Sequence, residues 1–312
     1  MTHPLCAAVD IGSTTVHLLI ARLADDGTLL PYHEESVRPL LGARRAADGA
    51  IPPDAEAEVL AALRHYQEVA AAFGASRLLV VATEAVRAAP NGADLIGRWQ
   101  QALALPIAAL TAAEETRLAM LGAYGGAVPQ SGLFADSGGA STQVAAIAGG
   151  AILWQRSLSI GASGLTATHL AADPPTPQQV AMAEDAVGAA LATLPAPPTG
   201  SALQPVITGG SAATIQALGL PGCGPGVLTA DCLAQAEAVL THDPSRVLVQ
   251  RFRLPPERAR VLGAGCLIIR RLVLWSGYPS WRASVAGIRE GMIRAWTTAP
   301  QDWPVGLPTG RS

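Results

Sequence analysis

Two short segments of the sequence combine a carboxylate with a turn made of glycine and hydroxyl residues. Each begins with an apolar run that ends in an aspartate, Asp10 in the first segment and Asp136 in the second. Small residues follow, at 12–14 and 138–142, and a second apolar run comes next. This pattern predicts two β-hairpins with small residues at their tips and a carboxylate where the first strand of each ends.

Such a tip is suited to phosphate. Glycine lets the backbone approach a ligand closely, and consecutive N–H groups and hydroxyls can surround phosphate oxygens. A carboxylate at the strand end can hold Mg²⁺, directly or through water. For either copy alone, an Asx-turn that satisfies the local backbone explains the aspartate equally well. Because the pattern occurs twice, we interpret it as a duplicated fold that binds a phosphate-bearing molecule and a cation between its two halves.

Three further segments carry candidate side chains or turns. Arg87 follows an apolar run at 78–82 and can donate two hydrogen bonds to a phosphate, although an i,i+3 surface pair with Glu84 explains it as well. Glu115 lies next to Glu114 at a predicted helix start, where a negative side chain is stabilised by the helix dipole. A carboxylate that faces a cleft could instead take a proton from a water molecule. The glycine turn at 209–214 leads into a predicted helix, so it is either an anion-binding site or an ordinary strand–helix turn. The segment 159–166 has the same pattern and the same two interpretations.

Composition favours a two-domain protein in the cytoplasm. The chain has 312 residues, a formal net charge of −3 and no lysine, so no overall basic field favours nucleic acid. We expect no signal peptide, and the apolar stretch 261–275 is interrupted by arginines and too short to span a membrane. The cysteines form no CxxC pair, and we expect reduced, partly buried thiols at Cys6, Cys223, Cys232 and Cys266.

The apolar patterns predict alternating strands and helices in the first half and a repeat of the hairpin in the second. We expect a domain at residues 1–125, a second at 126–298 and a loose tail at 299–312. The segments predicted in the first domain are strands at 5–9, 16–23, 29–35, 77–82 and 106–110 and helices at 54–73, 91–103 and 112–122.

Taken in order, these segments resemble the exopolyphosphatase and guanosine pentaphosphate phosphohydrolase (Ppx/GppA) family, within the acetate kinase, sugar kinase and actin-like superfamily. The resemblance runs from about Ala7 to Met292. The motifs that carry it are Val9–Ser13, Ala82–Arg87 with Asn91, Glu114–Arg117, Asp136–Thr142, Gly161–Thr166, Gly209–Ile215 and Gly287–Gly291.

The resemblance implies an α/β fold of two actin-like (ribonuclease H-like) domains around a cleft, in the short, two-domain form of the family. It implies hydrolysis of the terminal phosphoanhydride of polyphosphate or guanosine pentaphosphate, with Mg²⁺ or Mn²⁺ as cofactor. Glu115 matches the catalytic base and Arg87 the phosphate-binding arginine. The residues that match the phosphate-binding turns are Gly12, Ser13, Thr14, Gly138, Gly139, Ala140, Ser141, Thr142, Gly209, Gly210 and Ser211. Asp136, Asp10 and Gln143 are the candidate metal ligands. No nucleic acid or membrane partner is expected, and we expect a homodimer.

Two residues depart from the family pattern of the second hairpin. Ala140 stands where the family usually has a third glycine, and a left-handed backbone there would cost about 1 kcal/mol. Gln143 stands where the family usually has glutamate, so the candidate metal site lacks one negative charge.

These departures leave two alternatives to a hydrolase. One is a protein that binds polyphosphate or guanosine tetra- or pentaphosphate without turning it over. The other is a small-molecule kinase of the same superfamily, which needs an acceptor pocket and a base for the acceptor hydroxyl. The sequence gives no independent sign of either feature.

Overall fold

The structure is a computed structural model that describes residues 3–198, 205–220 and 223–300. Within these ranges the chain forms two compact units, the first made of the described residues of Met1–Val128 and Ala286–Ser312, the second of those of Pro129–Val285. The expected division kept 126–298 together, so the segment from Ala286 onward lies in a different unit than expected. Of the tail expected at 299–312, residues 301–312 lie outside the described residues.

The strands and helices of the described residues alternate as the sequence predicts. In chain order they are β1 (Cys6–Ile11), β2 (Val16–Leu23), β3 (Leu29–Val37), α1 (Pro53–Ala72), β4 (Arg77–Ala82), α2 (Glu84–Arg87), α3 (Gly92–Leu103), β5 (Ile107–Ala109), α4 (Ala112–Ala123), β6 (Ser131–Ser137), β7 (Thr142–Ala148), β8 (Ala151–Leu158), α5 (Ala162–His169), α6 (Pro177–Leu191), β9 (Val206–Thr208), α7 (Gly210–Ala217), β10 (Val227–Thr229), α8 (Ala230–His242), α9 (Ser245–Phe252), α10 (Pro256–Ser276), β11 (Ser280–Ala283) and α11 (Ile288–Thr298). None of these helices is long and apolar enough to cross a lipid bilayer.

The first unit is a sheet covered by helices on both faces. The strand order is β3-β2-β1-β4-β5; β1, β2 and β3 are antiparallel neighbours, and β4 runs parallel to β1 and β5. Successive side chains of a strand point to opposite faces. Val9 and Ile11 accordingly pack in the core formed with α1 and α3, whereas Cys6 and Ala8 pack in the core formed with α4 and α11. Asp10 follows the same alternation and lies on the α4 side of β1.

The second unit repeats this arrangement. Its strand order is β10-β11-β9-β6-β7-β8, in which β6, β7 and β8 form an antiparallel meander and β9 runs parallel to β6 and β11. The order β8-β7-β6-β9-β11 therefore corresponds to β3-β2-β1-β4-β5 of the first unit. Helices α5 to α10 contribute to its buried apolar core. The α/β architecture and the duplication expected from the two hairpins are both confirmed.

The cysteines differ from the expectation of four reduced thiols. Cys223 and Cys232 form a disulfide, with Cα atoms 5.0 Å apart. The chain reverses through β10, so the first turn of α8 returns Cys232 to the loop that holds Cys223. The two cysteines are nine residues apart with a strand between them, and this spacing does not indicate from the sequence that they are close. Cys6 and Cys266 are free and buried, as expected.

Close backbone contact explains why α11 belongs to the first unit. A Cβ atom on Gly291 would overlap the carbonyl of Leu118 in α4, and one on Gly122 would overlap the backbone of Gly287. Glycines thus let α4 and α11 approach more closely than side chains would allow. Met292 and Ile293 then pack with strand residues of the first unit. This non-local contact returns the chain to the first unit after the second is complete.

We predict that Gly291→Ala destabilises the protein by about 1–3 kcal/mol, because α11 must move away from α4. Gly97→Ala is the matched control, since Gly97 lies in α3 and nothing is within 4 Å of its Cβ position. That change should be neutral or stabilise by about 0.5–1 kcal/mol. Denaturant unfolding of the three proteins measures both effects. Equal stability of wild type and Gly291→Ala would contradict the packing described.

Candidate active site

The two hairpins have matching tips. In the first hairpin, formed by β1 and β2, the amide of Gly12 donates to the carbonyl of Thr15 at 3.0 Å. In the second, formed by β6 and β7, the amide of Gly138 donates to the carbonyl of Ser141 at 2.9 Å. Each tip is thus a four-residue turn closed by the same backbone hydrogen bond.

The carbonyl groups of the first tip are bound by the loop that follows β3. The amide of Gly42 donates to the carbonyl of Ser13 at 2.8 Å, and the amide of Leu40 donates to the carbonyl of Thr14 at 3.2 Å. The tip is therefore anchored through its oxygen atoms to its own unit.

The second tip is anchored in the same way, by the first turn of α5. The carbonyl of Gly138 accepts from the amide of Ala162 at 3.0 Å. The carbonyl of Gly139 accepts from Ser163 at 2.8 Å and from Gly164 at 3.1 Å. Two different segments, a loop and a helix start, thus perform the same task in the two units.

This anchoring sets the direction of the tip amides. In a planar trans peptide the carbonyl oxygen and the amide hydrogen point in opposite directions. Because the carbonyls of both tips point to their anchors, the amides of Thr14 and Thr15, and those of Gly139 and Ala140, point away from them. Consecutive amides that share a direction form an anion-binding concavity.

The anchoring also changes two expectations about the second tip. The sequence at 159–166 predicted an anion-binding turn. The amides in the first turn of α5, which belong to this segment, instead donate to carbonyl groups of the second tip. Ala140 is not among the described residues with a positive φ, so the left-handed strain considered for it does not arise. The close contact falls on Gly161, where a Cβ atom would lie 2.5 Å from the backbone of Gly139.

The third glycine turn, at the start of α7, brings the backbone of Gly209 close to Asp136. Gly209 has φ 109°, and its Cβ position lies 3.1 Å from Oδ1 of Asp136. Only glycine fits there, since other residues rarely adopt this conformation. Ser211 is 2% exposed and its hydroxyl packs against Gly265 of α10, so the groups that α7 can offer an anion are backbone amides.

The candidate metal ligands occupy corresponding places in the two units. Asp10 lies opposite His17 in the first hairpin, and Asp136 lies opposite Gln143 in the second. Gln143 is 2% exposed, and its Nε2 donates to the hydroxyl of Ser141 at 2.9 Å. Carboxylate and amide oxygens are donors that Mg²⁺ accepts, so Asp136 and Gln143 fit such an ion by donor type. Because Gly209 has no side chain, the space beside the carboxylate of Asp136 stays open; a Cβ atom would fill it.

An ion pair between a partly buried arginine and a buried glutamate joins α2 to α4 in the first unit. Arg87 donates from one guanidinium nitrogen to Oε2 of Glu115 at 3.1 Å and to the carbonyl of Leu110 at 2.5 Å. Glu115 is 6% exposed. The start of α2 is fixed by Thr83, whose hydroxyl and amide both donate to the carbonyl of Ile11 at the end of β1. Arg87 is therefore bound to Glu115, not paired with Glu84 at the surface.

Glu114 and Glu115 have different roles. Glu114 forms a capping box with Thr111: its Oε2 accepts from the amide of Thr111 at 2.7 Å, and its own amide donates to the Thr111 hydroxyl at 3.2 Å. This is the ordinary use of an acid in the first turn of a helix. Glu115, one residue later, turns inward to Arg87. The helix-dipole interpretation thus applies to Glu114, and Glu115 is the carboxylate available for chemistry.

The surroundings of Glu115 raise its pKa above the ordinary value for glutamate. Burial is the main cause, because it disfavours the charged form. The hydrogen bond and positive charge of Arg87 act in the opposite direction, and the negative charge of Glu84 raises the pKa further. A carboxylate with a raised pKa is a stronger base than an exposed one.

Two residues near these sites escaped sequence reasoning. Arg258, in the first turn of α10, places its guanidinium 2.7 Å from the Cβ position of Gly210. Glu84, whose spacing from Arg87 indicated only a surface pair, has a buried Oε2 without a hydrogen-bond partner. Neither feature has a local signal in the sequence, because each depends on how separate segments pack.

Comparison with known proteins identifies relatives along most of the chain. Exopolyphosphatase 2 of Mycobacterium tuberculosis is 30% identical over 296 residues, covering 85% of this chain and 89% of that protein. An uncharacterized protein of Streptomyces coelicolor is 34% identical over 178 residues, which is 56% of this chain and 53% of that protein. The crystal structure of the Aquifex aeolicus member of the Ppx/GppA family superposes with a TM-score of 0.81 at 27% identity, covering 95% of this chain and 98% of that one.

The sequence model of the Ppx/GppA phosphatase family matches residues 19–299 of this chain. The match covers most of both units. Together with the strand order and the structural likeness, it confirms the expected actin-like α/β fold class. The chain belongs to the Ppx/GppA phosphatase family.

Proposed function

We propose that this protein hydrolyses the terminal phosphoanhydride bond of inorganic polyphosphate or guanosine pentaphosphate. The observation that carries the proposal is the buried carboxylate of Glu115, held by Arg87 and made more basic by its surroundings. Family membership and a relative named as an exopolyphosphatase support the same chemistry.

In the proposed reaction, Glu115 takes a proton from a water molecule as the water oxygen bonds to the terminal phosphorus. The bond from that phosphorus to the bridging oxygen breaks. Inorganic phosphate and a chain shorter by one phosphate, or guanosine tetraphosphate, leave. The base must be unprotonated at the start, so activity requires a pH above the raised pKa of Glu115.

Phosphate binding is assigned to Arg87 and to the outward amides of the tips. Arg87 contacts Glu115, so its positive charge lies beside the proposed base. A phosphate group that reacts there would be attracted by this charge. The outward amides of Thr14, Thr15, Gly139 and Ala140, and those at the start of α7, supply uncharged donors. Since the chain has no lysine, arginine and backbone amides carry the recognition of phosphate.

We propose Mg²⁺, or Mn²⁺ in its place, as the cofactor, with Asp136 and Gln143 as the residues that would hold it in the second unit; Asp10 has the corresponding place in the first unit. Bound there, the ion would offset the charge of the phosphate groups. The homodimer and the cytoplasmic location expected from the sequence stay predictions.

One observation favours a second candidate, a protein that binds these phosphates without hydrolysing them. Gln143 is neutral and buried, and its Nε2 is bound to Ser141 within the hairpin. A weaker cation site would slow the reaction while leaving the tips able to bind phosphate. Phosphate release measured beside polyphosphate binding separates the two functions.

The first prediction for this function concerns Glu115. Glu115→Gln should lower phosphate release by about 10²–10⁴-fold, because the general base is lost. Glu114→Gln is the matched control: its amide oxygen can still cap α4, so its rate should stay close to wild type. A folded Glu115→Gln protein with more than half of the wild-type rate would exclude Glu115 as the base.

The second prediction concerns the metal. Gln143→Glu adds a negative charge and a carboxylate ligand, so activity should saturate at lower Mg²⁺ or Mn²⁺ with equal or faster hydrolysis. Gln179→Glu adds the same charge in the second unit, where the carboxylate can preserve the cap of α6, and should leave the metal dependence unchanged. If Gln143 serves only to bind Ser141, metal dependence will not move and stability will fall instead.

A further inference from the structure

Helix α2, which carries Arg87, is a single turn of four residues. A helix this short is not stable by itself, and its last carbonyl groups have no partners within the helix. One of them, the carbonyl of Ala85, accepts a hydrogen bond from the guanidinium of Arg45 at 2.7 Å. Arg45 lies 40 residues earlier in the chain, so the hydrogen bonding of α2 is completed by a distant segment.

Arg45 belongs to the loop between β3 and α1, which also anchors the first tip. Three residues before it, the amide of Gly42 donates to the carbonyl of Ser13 at 2.8 Å. A Cβ atom on Gly42 would lie 2.2 Å from the hydroxyl oxygen of Ser13, so the loop and the tip are in close contact. The same loop therefore contacts the first tip through Gly42 and α2 through Arg45.

A second pair of hydrogen bonds fixes the end of this loop to the segment that follows α2. The side-chain amide of Asn91 accepts from the amide of Ile51 at 3.0 Å and donates to its carbonyl at 2.9 Å. The segment that contains α2 is thus held against the loop at two points, Arg45 and Asn91.

The guanidinium of Arg45 differs from that of its neighbour Arg44 in what it binds. Arg44 pairs with Asp54 at 2.6 Å and with Glu58 at 2.8 Å. Arg45 makes no ion pair with any residue that the structure describes, and its Nε is inaccessible to solvent and lacks a hydrogen-bond partner. Leaving a buried donor unsatisfied is costly, so surface charge pairing does not explain the placement of this side chain. The contact that holds its guanidinium is the carbonyl of α2.

We propose that Arg45 is a positioning residue of the hydrolytic site, which fixes α2, and with it Arg87, relative to the first tip. The inference rests on the proposed function, because Arg87 and the tip are the groups assigned there to phosphate. Arg87 reaches Glu115 from a single helical turn, so a small shift of that turn would move its guanidinium away from the proposed base. A displacement of about 1 Å can slow a reaction by about 10²-fold.

The first test is a double-mutant cycle on Arg45 and Arg87, measured as kcat/KM for phosphate release from polyphosphate with Mg²⁺. Arg45→Met keeps an unbranched side chain and removes the donor, so kcat/KM should fall by about 10- to 10²-fold. In the Arg87→Ala background the same change should have little effect, because the group that Arg45 positions is absent.

Arg98→Met is the matched control for the loss of positive charge. Arg98 lies in α3 of the same unit and pairs with Glu56. Its replacement should leave kcat/KM close to the starting value in both backgrounds. An Arg45→Met loss of equal size in both backgrounds would show that Arg45 acts independently of Arg87, for example by binding phosphate itself, and would overturn the proposal. Wild-type kcat/KM in Arg45→Met would overturn it as well.

The second test needs no activity and uses amide hydrogen exchange without substrate. The amides of Ala88 and Ala89 donate to carbonyls of α2 at 2.9 and 3.2 Å, so they report on this turn. Arg45→Met should speed their exchange by about tenfold, which corresponds to loss of one hydrogen bond from a charged donor. Exchange in α10 of the second unit should stay unchanged, which excludes global destabilisation, and Arg98→Met should leave α2 as in wild type.

The two tests separate failure of the proposal from failure of the function. Unchanged exchange at α2 in Arg45→Met would overturn the role of Arg45. If the wild-type protein releases no phosphate but exchange at α2 rises in Arg45→Met, the proposed hydrolysis fails while the positioning of α2 by Arg45 stands.

Discussion

The hydrogen-bonded ion pair between Arg87 and Glu115 is the interaction on which the candidate site depends. A carboxylate that is 6% exposed would be strongly disfavoured in its charged form without a partner. Arg87 supplies that partner and also binds the carbonyl of Leu110, so one guanidinium joins α2, the end of β5 and α4. These three segments meet because β4 and β5 are parallel neighbours, whose carboxyl ends lie at the same edge of the sheet. The strand order thus positions the pair.

The two units apply the same strand order to different purposes. In the first, β4 is followed by Thr83 and α2, which bring charged side chains to the sheet edge. In the second, the corresponding strand β9 is followed by Gly209 and α7, where absence of a side chain lets the backbone approach Asp136. The hairpins keep their shared role in both, with carbonyls bound inward and amides directed outward. Duplication therefore supplies two tips with outward amides. The segments that follow β4 and β9 differ: the first brings charged side chains to the sheet edge, and the second allows close approach of the backbone.

Local patterns in the sequence were enough to predict the hairpins, most strands of the first unit and the helices α1, α3 and α4. They carry this information because apolar periodicity, caps and glycine turns act over a few residues. The same kind of reasoning could have separated Glu114 from Glu115, since Thr111 and Glu114 have the spacing of a capping box. The return of α11 to the first unit was not predictable in this way. It depends on contacts of Gly122 and Gly291 with backbone far away in the sequence. The Cys223–Cys232 disulfide was not predictable either, because it depends on how the chain turns through β10 into α8.

The most direct test of the central claim is a double-mutant cycle on Arg87 and Glu115, measured as kcat/KM for phosphate release from polyphosphate. If the pair acts as one unit, Arg87→Ala and Glu115→Gln should each slow the reaction, and the double variant should be about as slow as the slower single variant. Unfolding curves for all four proteins establish that each is folded. Losses that multiply in the double variant would show that the two residues act independently and would contradict the account.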